Sequence, residues 1–441
     1  MPKAVNSFVA HAFRGATPFV RGGLYHHSPP YEGGVAGGAT NQAGQPVRNA
    51  AATRSRINDG TSRHAIGVML ALTVVVLAEP SEAAEPPAPV QHVVVYAEPG
   101  RFAGWPANHG MWAWGDELLV GFSRGYYKDR GSFHHIDHDR PEEFLLARSR
   151  DGGLSWSVES PRPAGALGGT QGMRHGKKPA ELPDEEPTDL KTPIDFTHPD
   201  LALTFRMENS NNGVSRFYFS YDRGHVWRGP FRLPLFGQKG VMARTDYLVE
   251  GPKQALLFLT ASKANGKEGR PFSARTTDGG LTWEFLAFIG PEPTGYAIMP
   301  STVRVSPGEL VTTVRRKDGE KSWIDAYGSH DDGRSWSLLS RPEPDTGEGN
   351  PPSLLHLPDG RLCLTYGRRA RPYGICARLS SDDGKTWSDA VVLRDDGGAN
   401  DVGYVRSIIR PDGAVVAVYY YNDRSGPSRY LAATIWKPAR P

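Results

Sequence analysis

Short apolar runs alternate with turns rich in glycine and polar residues from about residue 91 to the C terminus, and few stretches have the spacing of an amphipathic helix. Runs such as residues 144–148 and 216–219 have the length and residue types of β-strands. Several of these runs follow a hairpin whose turn is centred on glycine, as at residues 358–364 and 411–416. The order of hairpin, strand, turn and strand predicts units of four antiparallel strands.

One eight-residue turn occurs five times under the rule Ser/Thr-x-Asp-x-Gly-x-(small or β-branched)-Trp, and we call it the Asp box. The five copies occupy residues 149–156, 220–227, 276–283, 329–336 and 380–387. We expect the Asp to accept backbone N–H bonds, the Gly to take a positive φ, and the Trp to pack between neighbouring sheets. The box aspartates are therefore predicted to be architectural, and none is a candidate catalytic residue.

Repeats at this spacing indicate a propeller, a solenoid or an array. A sixth unit, residues 402–436, has the hairpin but no box and lacks an outer strand, which residues 92–96 are free to supply. The sequence therefore predicts an all-β fold over residues 91–441, a six-bladed β-propeller of four-stranded antiparallel blades with five Asp boxes. A Pro/Gly/charged insertion at residues 161–193 separates blades one and two, and such loops are either functional or disordered.

Composition adds little to this fold and excludes some functions. The 441 residues include 51 Gly and 37 Pro, which suits an all-β domain with many turns. A net charge of +3, evenly spread, does not indicate nucleic acid binding. The two cysteines, Cys363 and Cys376, cannot form a disulfide framework, and either a single cross-strand bridge or two free thiols fits their spacing.

The N-terminal quarter has a different composition. Residues 1–62 lack usable periodicity and are interpreted as disordered or as an extension from a start codon assigned too early. Residues 63–84 have a basic flank, a short apolar run and a small-x-small site, which together predict a signal peptide, and residues 85–90 form a linker. The apolar run is too short to span a bilayer, so we expect a secreted or periplasmic protein without a stable membrane span.

Basic residues occur near the end of the second strand in every blade. They are Arg124, Arg206, Lys263, Arg315 with Arg316, Arg368 with Arg369, and Arg424. Six basic residues at one topological position predict a positively charged mouth that binds anions, although solvated hairpin-tip charges are the alternative.

Histidines form a second cluster. His109, His134, His135 and His138 fall within thirty residues, and imidazole groups can act as general acid or base near neutral pH. A metal site is the alternative for this cluster, but the histidines lie on no predicted helix, and neither a metal nor another cofactor is predicted.

The boxes and blade pattern resemble those of the sialidase (neuraminidase) superfamily over residues 91–436. The resemblance implies Tyr404 as the nucleophile, because it stands eight residues before Asp412 of the last hairpin, and Arg315 and Arg368 as two arginines of a carboxylate-binding triad. Three expected residues are absent: the first Arg is replaced within Gly104-Trp105-Pro106 unless Arg101 supplies it, the Glu base by Met299, and the Glu that braces the first Arg by Tyr420. The resemblance further implies an Asp acid/base, for which Asp129, Asp137 and Asp139 are candidates, with Asp137 chosen.

A second resemblance is to ulvan-lyase-like propellers and a related rhamnosidase family, which place a catalytic His early in blade one. His109 occupies such a place, and Tyr247, Arg244 and the His134/His135 pair suit proton abstraction and carboxylate neutralisation on a uronic acid.

These observations predict an exported sialidase-like exo-glycosidase that hydrolyses terminal acidic sugars. The alternatives are a lyase or rhamnosidase acting on uronate-containing polysaccharide, and a non-catalytic glycan-binding propeller. The predicted catalytic residues are Tyr404, His109 and Asp137. The predicted substrate-binding residues are Arg124, Arg206, Arg244, Arg315, Arg368, Tyr247, His134 and His135. The expected partner is an acidic glycan or polysaccharide, and the chain is expected to act as a monomer.

Overall fold

A computed structural model describes residues 89–131, 134–163, 165–168, 173–423, 426 and 428–439. The predicted extension at residues 1–62 and the predicted signal peptide at residues 63–84 lie outside these ranges. Within the described ranges, no helix is long and apolar enough to cross a membrane. The described strands form six antiparallel sheets, which are the six blades of the predicted propeller.

The strands follow the ring in chain order. The N-terminal strand is β1 (Gln91–Tyr96). Blade one contains β2 (Arg101–Gly104), the helix α1 (Pro106–His109), β3 (Met111–Trp114), β4 (Glu117–Tyr126), β5 (Glu143–Ser149) and β6 (Ser157–Glu159). Blade two contains β7 (Ala202–Met207), β8 (Ser215–Ser220) and β9 (Arg228–Leu233). Blade three contains β10 (Val241–Met242), β11 (Tyr247–Gly251), β12 (Gln254–Ser262), β13 (Glu268–Thr276) and β14 (Glu284–Phe288).

The C-terminal half is more regular. Blade four contains β15 (Tyr296–Ser306), β16 (Glu309–Asp318), β17 (Lys321–Ser329) and β18 (Ser337–Glu343). Blade five contains β19 (Ser353–His356), β20 (Leu362–Arg368), β21 (Gly374–Ser380) and β22 (Val391–Arg394). Blade six contains β23 (Gly403–Ile409), β24 (Val415–Tyr421) and β25 (Tyr430–Trp436).

The two ends of the propeller join in blade six. β1 pairs antiparallel with β25, with Val93 opposite Ala433, and the sheet order is β1-β25-β24-β23. The N-terminal strand is therefore the outer strand that the last blade lacks. The prediction that residues 92–96 close the ring is confirmed.

Three blades depart from four unbroken strands. In blade one, β2 and β3 both pair with β4, and the one-turn helix α1 separates them. Trp105, just before α1, has a φ of 59°, which turns the chain out of the strand. In blade three, β10 and β11 both pair with β12, and in blade two the described residues form three strands. Each break lies on the innermost strand, where the chain passes the central axis.

The Asp boxes form the expected turns. In the fourth box, the Asp331 carboxylate accepts hydrogen bonds from the Ser329 hydroxyl (2.8 Å) and the Ser335 amide (2.8 Å). Gly333 has a φ of 82°, and the Trp336 indole N–H points to the Ser273 hydroxyl on β13 of the preceding blade (3.3 Å). The box therefore fastens one blade to the next, as predicted. The cysteines, for which two arrangements were open, are both buried free thiols.

Candidate active site

Tyr404 lies at the start of β23 in a strained and tightly held conformation. Its φ is 52°, a value that a bulky side chain rarely adopts, and its side chain is fully buried. The side-chain amide of Asn350 accepts a hydrogen bond from the Tyr404 amide (2.7 Å) and donates one to the Val402 carbonyl (2.9 Å). A Cβ on Gly367 or Gly403 would lie 2.6 or 2.4 Å from the Asn350 amide, so glycine at both positions makes room for this clamp.

Two guanidinium groups from other blades surround the Tyr404 side chain. The Nη1 of Arg315, on β16, lies 3.1 Å from the Tyr404 hydroxyl. The Cζ of Arg369, just after β20, lies 5.6 Å from the centre of the Tyr404 ring, and its Nε donates to the Val402 carbonyl (3.1 Å). Blades four and five therefore place positive charge on the hydroxyl and on the ring of one tyrosine.

The predicted Arg368 does not take part in this arrangement. Its Nε donates to the carbonyl of Pro372 (2.7 Å), in the turn that follows β20. Arg368 is the last residue of β20, and Arg369 lies just after it. The structure therefore places Arg369, and not the predicted Arg368, beside Tyr404.

A buried carboxylate, that of Asp401, lies three residues before Tyr404 in the chain. Its Oδ1 lies 2.8 Å from Nδ1 of His134 and accepts a hydrogen bond from the Tyr420 hydroxyl (2.6 Å), while its Oδ2 accepts one from Nε of Arg429 (3.1 Å). Burial would raise the pKa of Asp401, yet the contacts with His134, and then with Arg429 and Arg369, hold that pKa well below its usual range. The Asp401 side chain is therefore ionised and is surrounded by hydrogen-bond donors.

His134 lies edge-on to Tyr404, with ring centres 6.1 Å apart. The Tyr420 hydroxyl accepts a hydrogen bond from Nη2 of Arg369, which connects the arginine to Asp401. We call this group the Tyr404 cluster. Its members are Tyr404, Arg315, Arg369, Tyr420, Asp401 and His134. It brings together side chains from blades one, four, five and six.

The chain matches a known family over residues 170–417, more than half of its length. The protein belongs to the BNR repeat-like domain family. The Tyr404 cluster of this BNR repeat-like protein lies partly within the matched residues and partly in blade one and in the last strands. Among curated proteins, none matches the chain.

Several solved structures are similar to this BNR repeat-like protein. A protein of unknown function from Dyadobacter fermentans is 21% identical, with a TM-score of 0.55 over 80% of this chain and 99% of that one. A sialidase from Streptococcus pneumoniae is 12% identical, with a TM-score of 0.46 over 78% and 68% of the two chains. An α-L-arabinanase from Penicillium chrysogenum is 12% identical, with a TM-score of 0.47 over 80% and 98%. The likeness to the Dyadobacter protein shows a shared fold.

An aromatic pair stands where the sialidase resemblance expects an Arg and its bracing Glu. Trp105 and Tyr420 face each other with ring centres 6.5 Å apart, and both are fully buried. Met299, at the expected position of the Glu base, is buried with a φ of 57°. Trp105 and Met299 both have a left-handed backbone conformation, and all three positions at which the resemblance expects a charged side chain carry an uncharged one.

The insertion between blades one and two reaches the Tyr404 cluster. The backbone amides of His175 and Gly176 donate to Oε2 of the buried Glu142 (2.6 and 2.7 Å). The His175 ring then packs on Trp105 (4.5 Å between centres) and lies 5.7 Å from the His134 ring. The insertion is therefore ordered against the site at this point, anchored by Glu142.

His109 forms a separate buried pair with Arg206. Nη1 of Arg206 lies 2.5 Å from Nδ1 of His109, and Nε2 of His109 lies 3.1 Å from the Ser123 hydroxyl. Because arginine can only donate, Nδ1 is the acceptor and Nε2 carries the proton. Burial, followed by the charges of Arg206 and Arg174, lowers the pKa of His109 well below its usual value, and burial lowers the pKa of Arg206 to about 9. Both ring nitrogens of a neutral, fully buried His109 are engaged, so this geometry gives no support to a catalytic role.

The other predicted residues lie outside the Tyr404 cluster. Arg124 pairs with Glu143, Arg244 with Glu268, Asp137 with Lys128, and His135 with Asp129. Tyr247 is fully buried in the hydrophobic core between blades two and three, where burial raises the pKa of its hydroxyl. Of the eleven predicted site residues, Tyr404, Arg315 and His134 lie in the Tyr404 cluster, and His109 and Arg206 form their own pair.

The sequence did not indicate Asp401 or the role of Tyr420, and it indicated Arg369 only as one of the basic residues near the strand ends. Asp401 lies in the turn before β23, where no periodic pattern marks a functional residue. Arg369 did have a signal in the sequence, because it follows Arg368 among the basic residues at the ends of the second strands. Over the residues that the structure describes, no group of three His, Cys, Asp or Glu side chains is arranged to hold a metal ion.

Proposed function

We propose that this protein is an exported glycoside hydrolase that removes terminal acidic sugars from glycans, with Tyr404 as the nucleophile. The observation that carries the proposal is the contact of 3.1 Å between Nη1 of Arg315 and the Tyr404 hydroxyl, with Arg369 over the same ring. Positive charge at a phenol favours its phenolate form, which is a competent nucleophile.

The charge balance of the site supports an anionic substrate. The guanidinium groups of Arg369 and Arg429 contact the carboxylate of Asp401, and that of Arg315 contacts the Tyr404 hydroxyl. Planar guanidinium groups bind carboxylates with matched geometry, and a low-dielectric site strengthens that attraction.

The absence of the first expected arginine affects which acidic sugar can be bound. The sialidase resemblance predicts three arginines on the substrate carboxylate, and Trp105 occupies the place of the first. Two arginines remain beside Tyr404, so we propose a broader class of sugar carboxylates, uronic acids among them, in which sialic acid is one candidate. The signal-like residues 63–84 support export, where such glycans are met.

A lyase reaction is less well supported than hydrolysis. It was predicted with His109 as a catalytic group, and His109 is engaged by Arg206 and Ser123. Elimination from a uronate leaves an unsaturated sugar that absorbs ultraviolet light, whereas hydrolysis leaves a reducing end without that absorbance. The product therefore separates the two reactions directly.

The test uses the purified chain with 4-nitrophenyl glycosides of glucuronic, galacturonic and N-acetylneuraminic acid in both anomeric forms, and with the matching neutral sugars. We expect hydrolysis of an acidic member, and Tyr404→Phe to lower kcat by at least about a thousandfold with the melting temperature nearly unchanged. The control is Tyr430→Phe, whose hydroxyl donates to Asp423 and lies outside the Tyr404 cluster. Activity retained in Tyr404→Phe, an unsaturated product, or hydrolysis of neutral sugars alone overturns the proposal.

A further inference from the structure

The side chains of His134 and Asp401 are buried next to Tyr404 and lie within ion-pair distance of each other, although the two residues are 267 positions apart in the chain. Their side chains are 8% and 5% exposed, and Nδ1 of His134 lies 2.8 Å from Oδ1 of Asp401. The backbone amide of His135 donates to Oδ2 of the same carboxylate (3.2 Å), which fixes the loop against Asp401. The loop between β4 and β5 therefore delivers one imidazole to a defined place in the site.

The hydrogen bond settles which ring nitrogen can exchange a proton. A carboxylate only accepts, so Nδ1 of His134 carries a proton and donates it to Asp401. Nε2 is on the other side of the ring and is the nitrogen that gains and loses a proton. A carboxylate that orients an imidazole through Nδ1 and leaves Nε2 for proton transfer is a known arrangement in hydrolases on unrelated folds.

The aspartates that could have served instead are occupied at the surface of the same loop. Lys128 binds both Asp137 (3.2 Å) and Asp139 (3.3 Å), and Asp129 lies 3.2 Å from Nδ1 of His135. Asp129 and Asp139 are both more than three-quarters exposed. His134 is the titratable group of this loop whose ring contacts the Tyr404 ring.

We propose that His134, oriented by Asp401, is the general acid and base of the hydrolysis proposed above, in place of an aspartate. This inference rests on the proposed function of the Tyr404 cluster.

Each step of the reaction balances. The Tyr404 phenolate oxygen bonds to the anomeric carbon while the bond from that carbon to the leaving oxygen breaks, and the proton on Nε2 of His134 passes to the leaving oxygen. Water then attacks the anomeric carbon, neutral Nε2 accepts the proton of the water, and the bond to Tyr404 breaks to restore the phenolate. Asp401 stays ionised throughout and stabilises the imidazolium form.

The groups packed around His134 are consistent with this assignment. Tyr404 and Tyr420 face it from blade six, and Trp105 and His175 face it from blade one and the insertion. Arg429 and Arg369 reach it through Asp401, which their charges help to keep ionised. The proton donor is therefore held among aromatic rings, out of bulk water, with one fixed counter-ion.

Leaving-group dependence tests the role of His134. The measurement is kcat/KM on a methyl glycoside and on a 4-nitrophenyl glycoside of the same acidic sugar, for wild type, His134→Ala and His134→Asn. A methyl leaving group needs a proton and nitrophenolate does not, so we expect a loss of about a hundredfold to ten-thousandfold on the methyl glycoside and of less than about tenfold on the nitrophenyl glycoside. Added imidazole is expected to restore part of the activity of His134→Ala on the methyl glycoside.

Two controls separate an acid role from a structural one. His134→Asn keeps a side-chain N–H that can donate to Asp401, so it holds the loop but transfers no proton, and it serves if His134→Ala fails to fold. His330→Ala removes an exposed histidine of blade four that pairs with Glu309, and it is expected to change kcat/KM on either substrate by no more than about twofold. An equal loss on both substrates, without imidazole rescue, overturns the role of His134, whereas an inactive wild type overturns the proposed function itself.

Discussion

The guanidinium group of Arg315 and the hydroxyl of Tyr404 lie 3.1 Å apart, although the first belongs to blade four and the second to blade six. Blade five lies between these two blades in the ring, so the contact spans the inner end of blade five. Arg369 of blade five then lies over the same tyrosine ring. The contact therefore ties three blades to one phenol and makes its environment positive.

The importance of this positive charge can be tested by substituting Arg369, with the adjacent Arg368 as a matched control. We expect Arg369→Lys to lower kcat/KM on an acidic glycoside by about a hundredfold, mainly through KM, because lysine cannot reproduce a planar guanidinium over the ring. The neighbouring Arg368→Lys, whose side chain binds the Pro372 carbonyl, is expected to stay within about threefold. Steady-state kinetics of both variants, with melting temperatures, check this expectation. Equal effects at the two positions would contradict the assignment of Arg369 to the site.

The fold could be predicted from the sequence because its main signal is local and repeated. Each Asp box carries its own hydrogen bonds, as Ser329 and Asp331 show, so five copies define five blade edges without knowledge of distant contacts. Closure by β1 followed from counting strands in the last blade. The broken inner strand of blade one did not follow, because the left-handed turn at Trp105 has no sequence signal of its own.

The site was harder to predict than the fold because its contacts are long-range. His134 and Asp401 are 267 residues apart, and nothing in either local pattern pairs them. The resemblance implies Arg368, whereas the next residue, Arg369, lies over the Tyr404 ring, and the spacing of residues in the sequence does not resolve a difference of one position at a strand end. The resemblance counts Tyr404 from a hairpin and Arg315 from a strand end, which are positions that the repeats define, and the structure places these two side chains together.

The backbone strain at Tyr404 predicts a specific sensitivity at Gly403. A Cβ there would lie 2.4 Å from the Asn350 amide, on a residue whose φ is already 107°. We expect Gly403→Ala to lower the free energy of unfolding by about 3 kcal/mol, from the left-handed backbone plus the clash, and to reduce activity by displacing Asn350 from Tyr404. Gly360→Ala is the matched control, because its φ is 87° and nothing lies within 4 Å, so it is expected to cost about 1 kcal/mol and leave kcat unchanged. Chemical denaturation measures the free energy of unfolding of both variants. Equal losses would contradict the role given to Asn350 in holding Tyr404.

The buried pair of His109 and Arg206 predicts a pH dependence of stability. Burial lowers the folded-state pKa of His109 well below the unfolded value of about 6.5, so the folded chain binds fewer protons there. This contribution is present above about pH 6.5 and is lost as pH falls, by up to about 1.4 kcal/mol per pH unit. We expect His109→Gln, which can both accept and donate, to be less stable at pH 7 but to show a smaller slope between about pH 6.5 and 5.

The measurement for His109 is urea denaturation at several pH values, with His330→Gln as a control. His330 is exposed on blade four, so its replacement is expected to leave the wild-type slope unchanged. A slope in His109→Gln equal to that of the wild type would mean that His109 already binds its proton in the folded chain.

Glu142 and Glu143 are adjacent carboxylates with different environments, and they give the sharpest test of how the insertion is held. Oε2 of Glu142 is fully buried and accepts the amides of His175 and Gly176, whereas Glu143 pairs with Arg124 at a partly exposed position. We expect Glu142→Ala to lower the free energy of unfolding by about 2–4 kcal/mol, since two buried amides lose their acceptor, and Glu143→Ala by about 0–1 kcal/mol. Hydrogen exchange should show lost protection at the two amides in Glu142→Ala alone. Because those amides carry His175 onto Trp105 beside His134, the same variant is expected to raise KM, and unchanged exchange at both amides would mean that the insertion is held by other contacts.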